Sequence, residues 1–355
     1  MTEHEIRTDA LSQRIRRAWQ GRISGCQLGK PVETMSMLQG YDALRNYLTS
    51  VDSFPVRDYI GFRDDVAGIQ RTCCRGELTR SEPDDDINYS VIALLLLEAH
   101  GAQMTTADVA RAWMNLLPAG ATFTAERAAY RVLLQRARDR FTGGGEPGFD
   151  LAECSDNRFN EWIGAQIRAD VYGWVCSGRP ALAAELARRD ATLSHRDDGV
   201  HGAVFVAALG AALADSNPTN ALAKALDQIP SASGAAKAVR LGADLAGNSS
   251  GGATIRSHYD GMSPVHTLNN LALVVWALFS HLDDFGAAIG DAVGAGLDTD
   301  CNGATVGGLW GIQGDAIPTQ WTQPWQGRVA LSLAGHDEVD LETLVERTTR
   351  VAMSI

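Results

Sequence analysis

Glycine recurs at every fourth position of an apolar segment late in the chain, at Gly303, Gly307 and Gly311. Residues four apart lie on one face of an α-helix, so these glycines form a stripe without side chains. Such a stripe lets a second helix approach closely. A second series with the same spacing lies near the start of the chain: Gly21, Gly25 and Gly29. Each series therefore predicts a helix that packs closely against a neighbour.

Two aspartates stand immediately before the later series, in the segment Gly296-Leu297-Asp298-Thr299-Asp300-Cys301-Asn302-Gly303. An Asp-x-Asp sequence can direct two carboxylates at one hard divalent cation, and a helix N-terminus favours negative charge. An EF-hand loop begins in the same way, but its twelfth position needs a Glu and here holds Leu309. An exposed helix cap is the other alternative, although the apolar helix behind the aspartates argues against exposure.

A second acidic cluster, Asp84-Asp85-Asp86, follows Pro83 and precedes an apolar run that is typical of a core helix. Two close carboxylates repel by about 4 kcal/mol at an effective dielectric constant near 20. A solvated helix cap would need no ion. A metal ion explains better why three acids stand at the end of a core helix.

Length and charge narrow the class of protein. The 355 residues show no linker, which predicts a single domain over residues 1–355, and the net charge of −12 argues against nucleic-acid binding. The polar first twenty residues do not resemble a secretory signal, and no apolar run reaches membrane-spanning length. The six cysteines lack zinc-binding spacing. We therefore expect reduced thiols in a cytoplasmic protein that binds neither nucleic acid nor membrane.

Hydrophobic residues follow a 3.6-residue period through most of the chain, which predicts an all-α fold. Glycine-rich and polar residues predict loops at Thr142–Gly148 and 246–263, and the charged tail at 322–355 is predicted to be helical and structural. The predicted helices include Ser12–Cys26, one around Trp113, one around Tyr130, one opening at Gly164–Asp170, and Gly202–Ala214.

Several isolated polar residues allow two interpretations. Glu33 lies just beyond Pro31, which ends the first helix, and it is either a surface carboxylate or a member of the site. His195 is either a lone histidine of the core or surface, or a ligand-binding group. Asn269 and Asn270 either cap an apolar helix or point polar groups into a cleft.

Four segments together resemble the ADP-ribosylglycohydrolase family, which includes the dinitrogenase-reductase-activating glycohydrolases. Gly21–Glu33 resembles the family's Gly-x3-Gly-Asp-x2-Gly-x-Pro-x-Glu motif, with Cys26 where Asp is usual. Asp84–Asp86 matches Thr-Asp-Asp, Gly296–Cys301 matches Gly-x-Asp-x-Asp-Thr, and Ala191–His195 is similar to a central Asp-Ala-x-x-Ser-His segment. The order of the motifs makes the resemblance specific, and it extends from about Arg14 to Trp321.

The resemblance implies a compact, orthogonal multi-helix fold with two central divalent ions, Mg²⁺ or alternatively Mn²⁺, that hydrolyses a bond at ribose C1. It implies that a carboxylate beside the ions acts as general base, with Glu33 as a gate or acid–base partner. The implied metal ligands are Asp84, Asp85, Asp86, Asp298 and Asp300, of which Asp85 and Asp300 are also catalytic candidates. The implied substrate-binding residues are His195, facing the ribose or diphosphate, together with Trp162, Gly164, Arg168, Asn269 and Asn270.

Three departures from the family pattern affect these expectations. Asp84 replaces Thr and adds a negative charge. Cys301 replaces a hard oxygen ligand with soft sulfur, so it either lies beside the metal without binding it or marks a weaker or differently occupied site. Trp162-Ile163-Gly164 replaces a Gly-Asn-Gly phosphate-receiving segment, and its bulk favours a smaller ribosylated substrate.

The leading prediction is therefore a metal-dependent hydrolase of an ADP-ribosyl bond, acting on a protein or a small molecule. The close alternative is hydrolysis of a small ribosylated metabolite or nucleoside. The alternative from another class is a non-catalytic structural or binding relative. Five retained aspartates argue against it, because clustered acids without a cation destabilise a fold.

Overall fold

The predominance of helices predicted from the sequence is confirmed. The structure, a computed structural model, describes residues 3–355, and side chains are described from residue 5 onward. This part of the chain forms α-helices, short 3-10 helices and one two-stranded sheet. Within the described residues, no helix is both long and apolar enough to cross a membrane.

The chain divides into two compact units. The first contains residues up to Glu82, Gly234–Ala330 and Val339–Glu346, and the second contains Pro83–Ser233, Leu331–Glu338 and Arg347–Ile355. The single domain over residues 1–355 stays a prediction.

The helices of the first unit include the segments that carry both glycine series. They are α1 Glu3–Gly29, α2 Glu33–Ser50, α10 Gly234–Asp244, α11 Gly251–His258, α12 Thr267–Ser280, α13 Phe285–Gly294, α14 Thr299–Gln313 and α15 Thr319–Thr322. Helix α1 begins and ends beyond the predicted Ser12–Cys26. A 3-10 turn over Lys30–Val32, with Pro31 inside it, separates α1 from α2.

The two glycine stripes pack against each other along α1 and α14. A Cβ atom built on Gly21 would lie 2.0 Å from the carbonyl oxygen of Gly307, and one on Gly25 would lie 1.9 Å from that of Gly303. These separations are far below van der Waals contact, so only glycine allows the backbones to come this close. The predicted close packing is confirmed, and each series is the partner of the other.

The second unit is built around α3 and α8, which are buried along most of their length. Its helices are α3 Asp85–His100, α4 Thr106–Leu116, α5 Thr124–Arg136, α6 Asp170–Val175, α7 Pro180–Ala191, α8 Asp197–Leu213 and α9 Pro218–Leu226. The predicted helices around Trp113 and Tyr130 are confirmed as α4 and α5.

Three local predictions were wrong. The segment 246–263 is not all loop, since it contains α11, which begins at Gly251 in spite of its two glycines. The helix expected to open at Gly164–Asp170 is instead a 3-10 helix, Ile163–Arg168, followed by α6. The tail is not all helical: β1 Arg328–Leu333 and β2 His336–Asp340 precede α16 Leu341–Ser354.

The hairpin of β1 and β2, which was not predicted, has only a short alternation of hydrophobic residues in its sequence. Val329, Leu331 and Leu333 alternate along β1 and are all buried, as expected for a strand with one face in the core. Gly335, in the turn before β2, has a φ of 76°, a conformation that glycine adopts readily.

Candidate active site

Three carboxylates meet in the first unit. One oxygen each from Glu33, Asp298 and Asp300 lies within 4.8 Å of the other two. The aspartates are 4% and 2% exposed, and Glu33 is half-buried. Asp298 is therefore not an exposed helix cap, and Glu33 is not an isolated surface carboxylate.

The backbone before α14 sets the position of these aspartates. Gly296 and Leu297 have φ values of 83° and 64°, so both adopt the left-handed conformation, which is unusual for leucine. The Leu297 carbonyl accepts a hydrogen bond from Ser36 Oγ at 2.7 Å. Helix α14 then begins at Thr299 with Asp298 as its N-cap residue. Helical structure over Thr299–Gln313 also excludes an EF-hand loop here.

Asn270 holds the start of α14 from the neighbouring helix α12. Its Oδ1 accepts hydrogen bonds from the Asp298 amide at 3.2 Å and from Asn302 Nδ2 at 2.8 Å. Its Nδ2 donates to the carbonyls of Pro264 and His266, each at 2.8 Å. Asn270 therefore ties the aspartate segment to the loop before α12.

Asn269 supports Asn270 from the preceding position. Its Oδ1 accepts from the Asn270 amide at 2.9 Å, and its Nδ2 donates to the Ser263 carbonyl at 2.9 Å. Neither asparagine is the cap of α12, because His266 occupies that position and its Nδ1 accepts from the Leu268 amide at 3.2 Å. The capping interpretation of Asn269 and Asn270 was wrong.

The donor set in the first unit fits a hard divalent cation. Glu33, Asp298 and Asp300 offer only carboxylate oxygens, the ligands that Mg²⁺ and Mn²⁺ prefer. Each close pair of charges would repel by about 4 kcal/mol at an effective dielectric near 20. The Cys301 thiol is buried, and its sulfur lies within 4.8 Å of an Asp300 oxygen.

The second acidic cluster stands at the start of α3 in the second unit. Asp84 is the N-cap residue, and its Oδ1 accepts a hydrogen bond from the Asp86 amide at 2.9 Å. It is nevertheless only 5% exposed, Asp86 is fully buried, and Asp85 is half-buried. The cap interpretation is correct for Asp84, but the cap is not solvated.

Arg168 is the centre of a buried ion network in the second unit. Its Nε donates to Asp190 Oδ1, and its Nη1 donates to Glu126 Oε1 at 2.7 Å and to the Gly164 carbonyl at 3.0 Å. Its Nη2 donates to the Asp190 carbonyl at 3.4 Å and to Ser194 Oγ at 2.8 Å. All five N–H donors are engaged with protein acceptors, so direct contact with a substrate would require one of these bonds to break.

Burial and charge act against each other in this network. Burial alone would lower the pKa of Arg168, but the charges of Asp190 and Glu126 outweigh it and raise that pKa. Burial raises the pKa of Glu126, although Arg168 opposes the shift. Tyr172 donates to the second Asp190 oxygen at 2.7 Å. Arg168 and Asp190 therefore form an ion pair in which each Asp190 carboxylate oxygen accepts a hydrogen bond.

His195 connects to this network through Ser194. Ser194 Oγ and His195 Nδ1 are 2.8 Å apart. Because Ser194 Oγ accepts from Arg168, its hydroxyl hydrogen is free to point at Nδ1, which leaves the ring proton on Nε2. Burial, followed by the Arg168 charge, places the pKa of His195 well below its ordinary value. The imidazole is therefore neutral at neutral pH.

The glycine and tryptophan predicted to bind substrate lie next to the same network. A Cβ atom on Gly164 would lie 2.1 Å from Glu126 Oε1, so this position leaves no room for a side chain. Trp162, the N-cap residue of the 3-10 helix, is half-buried. Its ring packs edge-on against Phe159 with centroids 4.7 Å apart.

Two acids of the network, Glu126 and Asp190, were not predicted. Asp190 had a signal, since it directly precedes Ala191 and occupies the Asp position of the Asp-Ala-x-x-Ser-His segment. Glu126 had none, because it lies in the first turn of an ordinary amphipathic helix. Only the tertiary structure brings it to Arg168.

Comparison with known protein families shows to which family this chain belongs. The model of the ADP-ribosylglycohydrolase family matches residues 7–352, nearly the whole chain.

The chain belongs to the ADP-ribosylglycohydrolase family.

A solved structure has a similar fold. This structure, of an "ADP-ribosylglycohydrolase-related protein complex", is 19% identical in sequence, with a TM-score of 0.59 over 97% of this chain and 100% of that chain. At this identity the similarity shows the fold alone. None of the curated proteins compared with this sequence matches it significantly.

Family membership confirms the resemblance inferred from the four motifs, and it supports glycohydrolase activity. The match also continues through most of the tail that follows Trp321. The C-terminal hairpin and α16 therefore lie within the region that the ADP-ribosylglycohydrolase model covers.

Proposed function

We propose that this protein is a metal-dependent hydrolase of an ADP-ribosyl or simpler N-ribosyl bond. One observation carries the proposal: Glu33, Asp298 and Asp300 bring three carboxylate oxygens within 4.8 Å of one another. Burial of two of these acids makes their mutual repulsion costly. A bound cation would remove that cost, and family membership supplies the class of reaction.

The proposed metal ligands are the acids of both motifs. They are Asp298 and Asp300 in the first unit, and Asp84, Asp85 and Asp86 in the second, for two Mg²⁺ ions or their Mn²⁺ equivalents. When bound, such ions supply electrostatic stabilisation and a polarised water for glycosidic cleavage. The thiol of Cys301 is a poorer ligand for these ions, and we assign it no step.

Proton transfer is assigned to carboxylates of this chain. Asp85 and Asp300 are the proposed general-base candidates, since each belongs to an acidic motif. Glu33 is the proposed gate or acid–base partner. It is the first residue of α2, directly after the 3-10 turn, and it is more exposed than either aspartate. Such a group can exchange protons with solvent and still reach the carboxylate cluster.

The buried network is proposed to position His195. Arg168 orders Ser194, and Ser194 fixes the proton of His195 on Nε2. A neutral imidazole with a fixed proton is a hydrogen-bond donor, which suits a hydroxyl or phosphate oxygen of the substrate. Arg168 is then a positioning residue, as is Asn270 for Asp298. Gly164 and Trp162 remain proposed contributors to the substrate wall.

Substrate size is proposed to be restricted by Trp162 and Ile163. A phosphate-receiving backbone nest needs glycine-like conformations and free N–H groups. The half-buried Trp162 instead provides apolar surface, consolidated by the Phe159 ring, and Ile163 is buried next to it in the chain. This surface suits a compact or flat leaving group better than a diphosphate. We therefore expect a small ribosylated compound to rival ADP-ribosyl-arginine protein as a substrate.

The test compares kcat/KM for both substrate classes on one preparation, with and without Mg²⁺. Mg²⁺-dependent hydrolysis of either class supports the proposed function. A preference of more than about 100-fold for ADP-ribosylated protein, roughly 2.7 kcal/mol of transition-state stabilisation, would contradict the interpretation of Trp162 and Ile163. Absence of hydrolysis of both classes in Mg²⁺ and in Mn²⁺ would favour the non-catalytic alternative.

A further inference from the structure

A pocket separate from the carboxylate cluster opens on the first unit, with a volume of about 270 Å³. Its walls come from α2, α11, α12, α13 and the segment that follows α2. Two arginines, Arg57 and Arg256, and one aspartate, Asp291, line it together with the aromatic side chains of Tyr41 and Trp276. An excess of arginine over aspartate in the lining is unexpected in a chain with a net charge of −12.

Arg256 is a half-buried cation held by neutral groups. Its Nη1 donates to the Ala295 carbonyl at 2.7 Å, and its guanidinium lies 3.5 Å from the centroid of the Tyr41 ring. Burial lowers the pKa of Arg256. Among the residues that the structure describes, no carboxylate forms an ion pair with this side chain. Its charge therefore lacks the usual direct counter-charge of a buried arginine.

The remaining charges around the pocket leave an excess of positive charge. Arg57 pairs with Asp291 at 2.8 Å, and Asp291 also bonds to His281 Nε2 at 2.8 Å. Arg45 lies close enough for its charge to contribute to the lowered pKa of Arg256, and Asp42 acts in the opposite direction. Three arginines thus face two aspartates in this region.

Backbone donors add to the same wall. Gly252 and Ala253 line the pocket and belong to the first turn of α11, whose N-cap residue Ser250 makes no side-chain capping bond. Amides in such a first turn have no acceptor within their own helix. The two arginines alone define the site.

We propose that this pocket binds a small phosphate-type oxyanion through Arg256 and Arg57. A guanidinium presents two parallel N–H donors that match the oxygens of a phosphate group. The volume lies below the usual range for drug-sized ligands, so it suits inorganic phosphate or a short phosphomonoester. This site does not depend on the proposed hydrolase activity, since the carboxylate cluster is made of other residues.

The test is isothermal titration of the full chain with inorganic phosphate, in buffer of constant ionic strength that contains EDTA. Removal of divalent metal prevents phosphate from binding through a cation at the carboxylate cluster. We expect one saturable site with a Kd on the order of 1 mM or tighter. A parallel titration with glycerol phosphate distinguishes the two sources, because a site for esters binds it more tightly than phosphate.

Two variants and one matched control separate this pocket from general charge effects. Arg256→Gln removes the half-buried cation, whereas Ala253→Trp fills the pocket and keeps both arginines. Each should weaken phosphate binding at least about tenfold. Arg131→Gln, at an exposed arginine on α5, makes the same charge change elsewhere and should bind as the wild type does.

Two results would overturn the proposal. One is the lack of saturable phosphate binding by the wild type, and the other is equal binding by the wild type and Ala253→Trp. Thermal unfolding of each variant reports whether it folds. If Arg256→Gln does not fold, Ala253→Trp and Arg57→Gln decide the outcome, because neither removes the bond between Arg256 and Ala295.

Discussion

At the scale of single residues, the buried charged side chains have two different kinds of neighbour. Arg168 is surrounded by Glu126, Asp190 and hydrogen-bond acceptors, so opposite charges and polar groups offset its desolvation. Asp298 and Asp300 have another carboxylate, Glu33, as a close neighbour in the same unit. The first arrangement stabilises the protein's own structure, and the second favours a bound cation.

Glu33→Gln should leave the fold intact and slow turnover. Glu33 is only half-buried at the start of α2, and a near-isosteric change at such a position usually alters stability by less than about 0.5 kcal/mol. Loss of an acid–base group typically costs about 10²–10⁴-fold in rate. Steady-state kinetics and thermal unfolding measure both quantities, with the exposed Glu146→Gln as the control. If Glu33→Gln turns over at the wild-type rate, the role of Glu33 is purely structural.

Arg168→Gln should destabilise the protein by about 3–5 kcal/mol, because it leaves Glu126 and Asp190 buried without their cation. Chemical denaturation at neutral pH measures the loss of unfolding free energy. Arg131→Gln, exposed on α5, provides the control for the charge change and should stay within about 0.5 kcal/mol of the wild type. A loss below about 1 kcal/mol for Arg168→Gln would show that the network does not stabilise the fold as argued.

At the scale of elements, the contact between α1 and α14 places Asp298 and Asp300 beside the end of α1. Thr299 Oγ1 donates to the Gly29 carbonyl at 2.9 Å, which fixes the start of one helix on the end of the other. Glycine spacing predicted both helix faces from the sequence. It did not predict that the faces pair, because spacing identifies a close approach but not the partner.

Gly307→Ala should destabilise the first unit by at least about 1–3 kcal/mol, the usual cost of overpacking. The added Cβ would lie 2.0 Å from the Gly21 carbonyl oxygen, so one helix must move. Gly120→Ala is the control, since a Cβ there meets no atom within 4 Å. Denaturation of both variants tests the claim, and equal stabilities would contradict the close helix contact.

At the scale of the whole molecule, the sequence predicted what depends on local pattern and missed what depends on tertiary contacts. Helix content, the acidic motifs and the family follow from spacing and residue type. Glu126 could not be assigned, because its partner Arg168 is 42 residues away and no periodicity links them. The hairpin of the tail was missed because its strands are only six and five residues long.

The unfolding free energy should decrease as the pH falls below 6.5. Folded His195 has a pKa well below its ordinary 6.5, so below that pH the unfolded state binds a proton that the folded state does not. The slope is at most about 1.4 kcal/mol per pH unit for one proton. Glu126 acts oppositely: its raised folded pKa gives stability at low pH that is lost as pH rises through that value.

His195→Gln isolates the histidine contribution, since Glu126, Arg168 and Asp190 remain in place. Denaturant unfolding between about pH 5 and 7 should show a shallower dependence for the variant than for the wild type. Identical slopes would mean that His195 is protonated as readily in the folded protein as in the unfolded chain.

The most direct test of the central claim is the Mg²⁺ dependence of ribosyl-bond hydrolysis in the wild type and Asp298→Asn. We expect EDTA to abolish wild-type turnover of the best substrate, and Mg²⁺ or Mn²⁺ to restore it. Neither ion should restore turnover by Asp298→Asn, because an amide binds cations less well than a carboxylate. Full wild-type turnover in EDTA, or equal restoration of the variant, would contradict the assignment of these carboxylates to a catalytic metal.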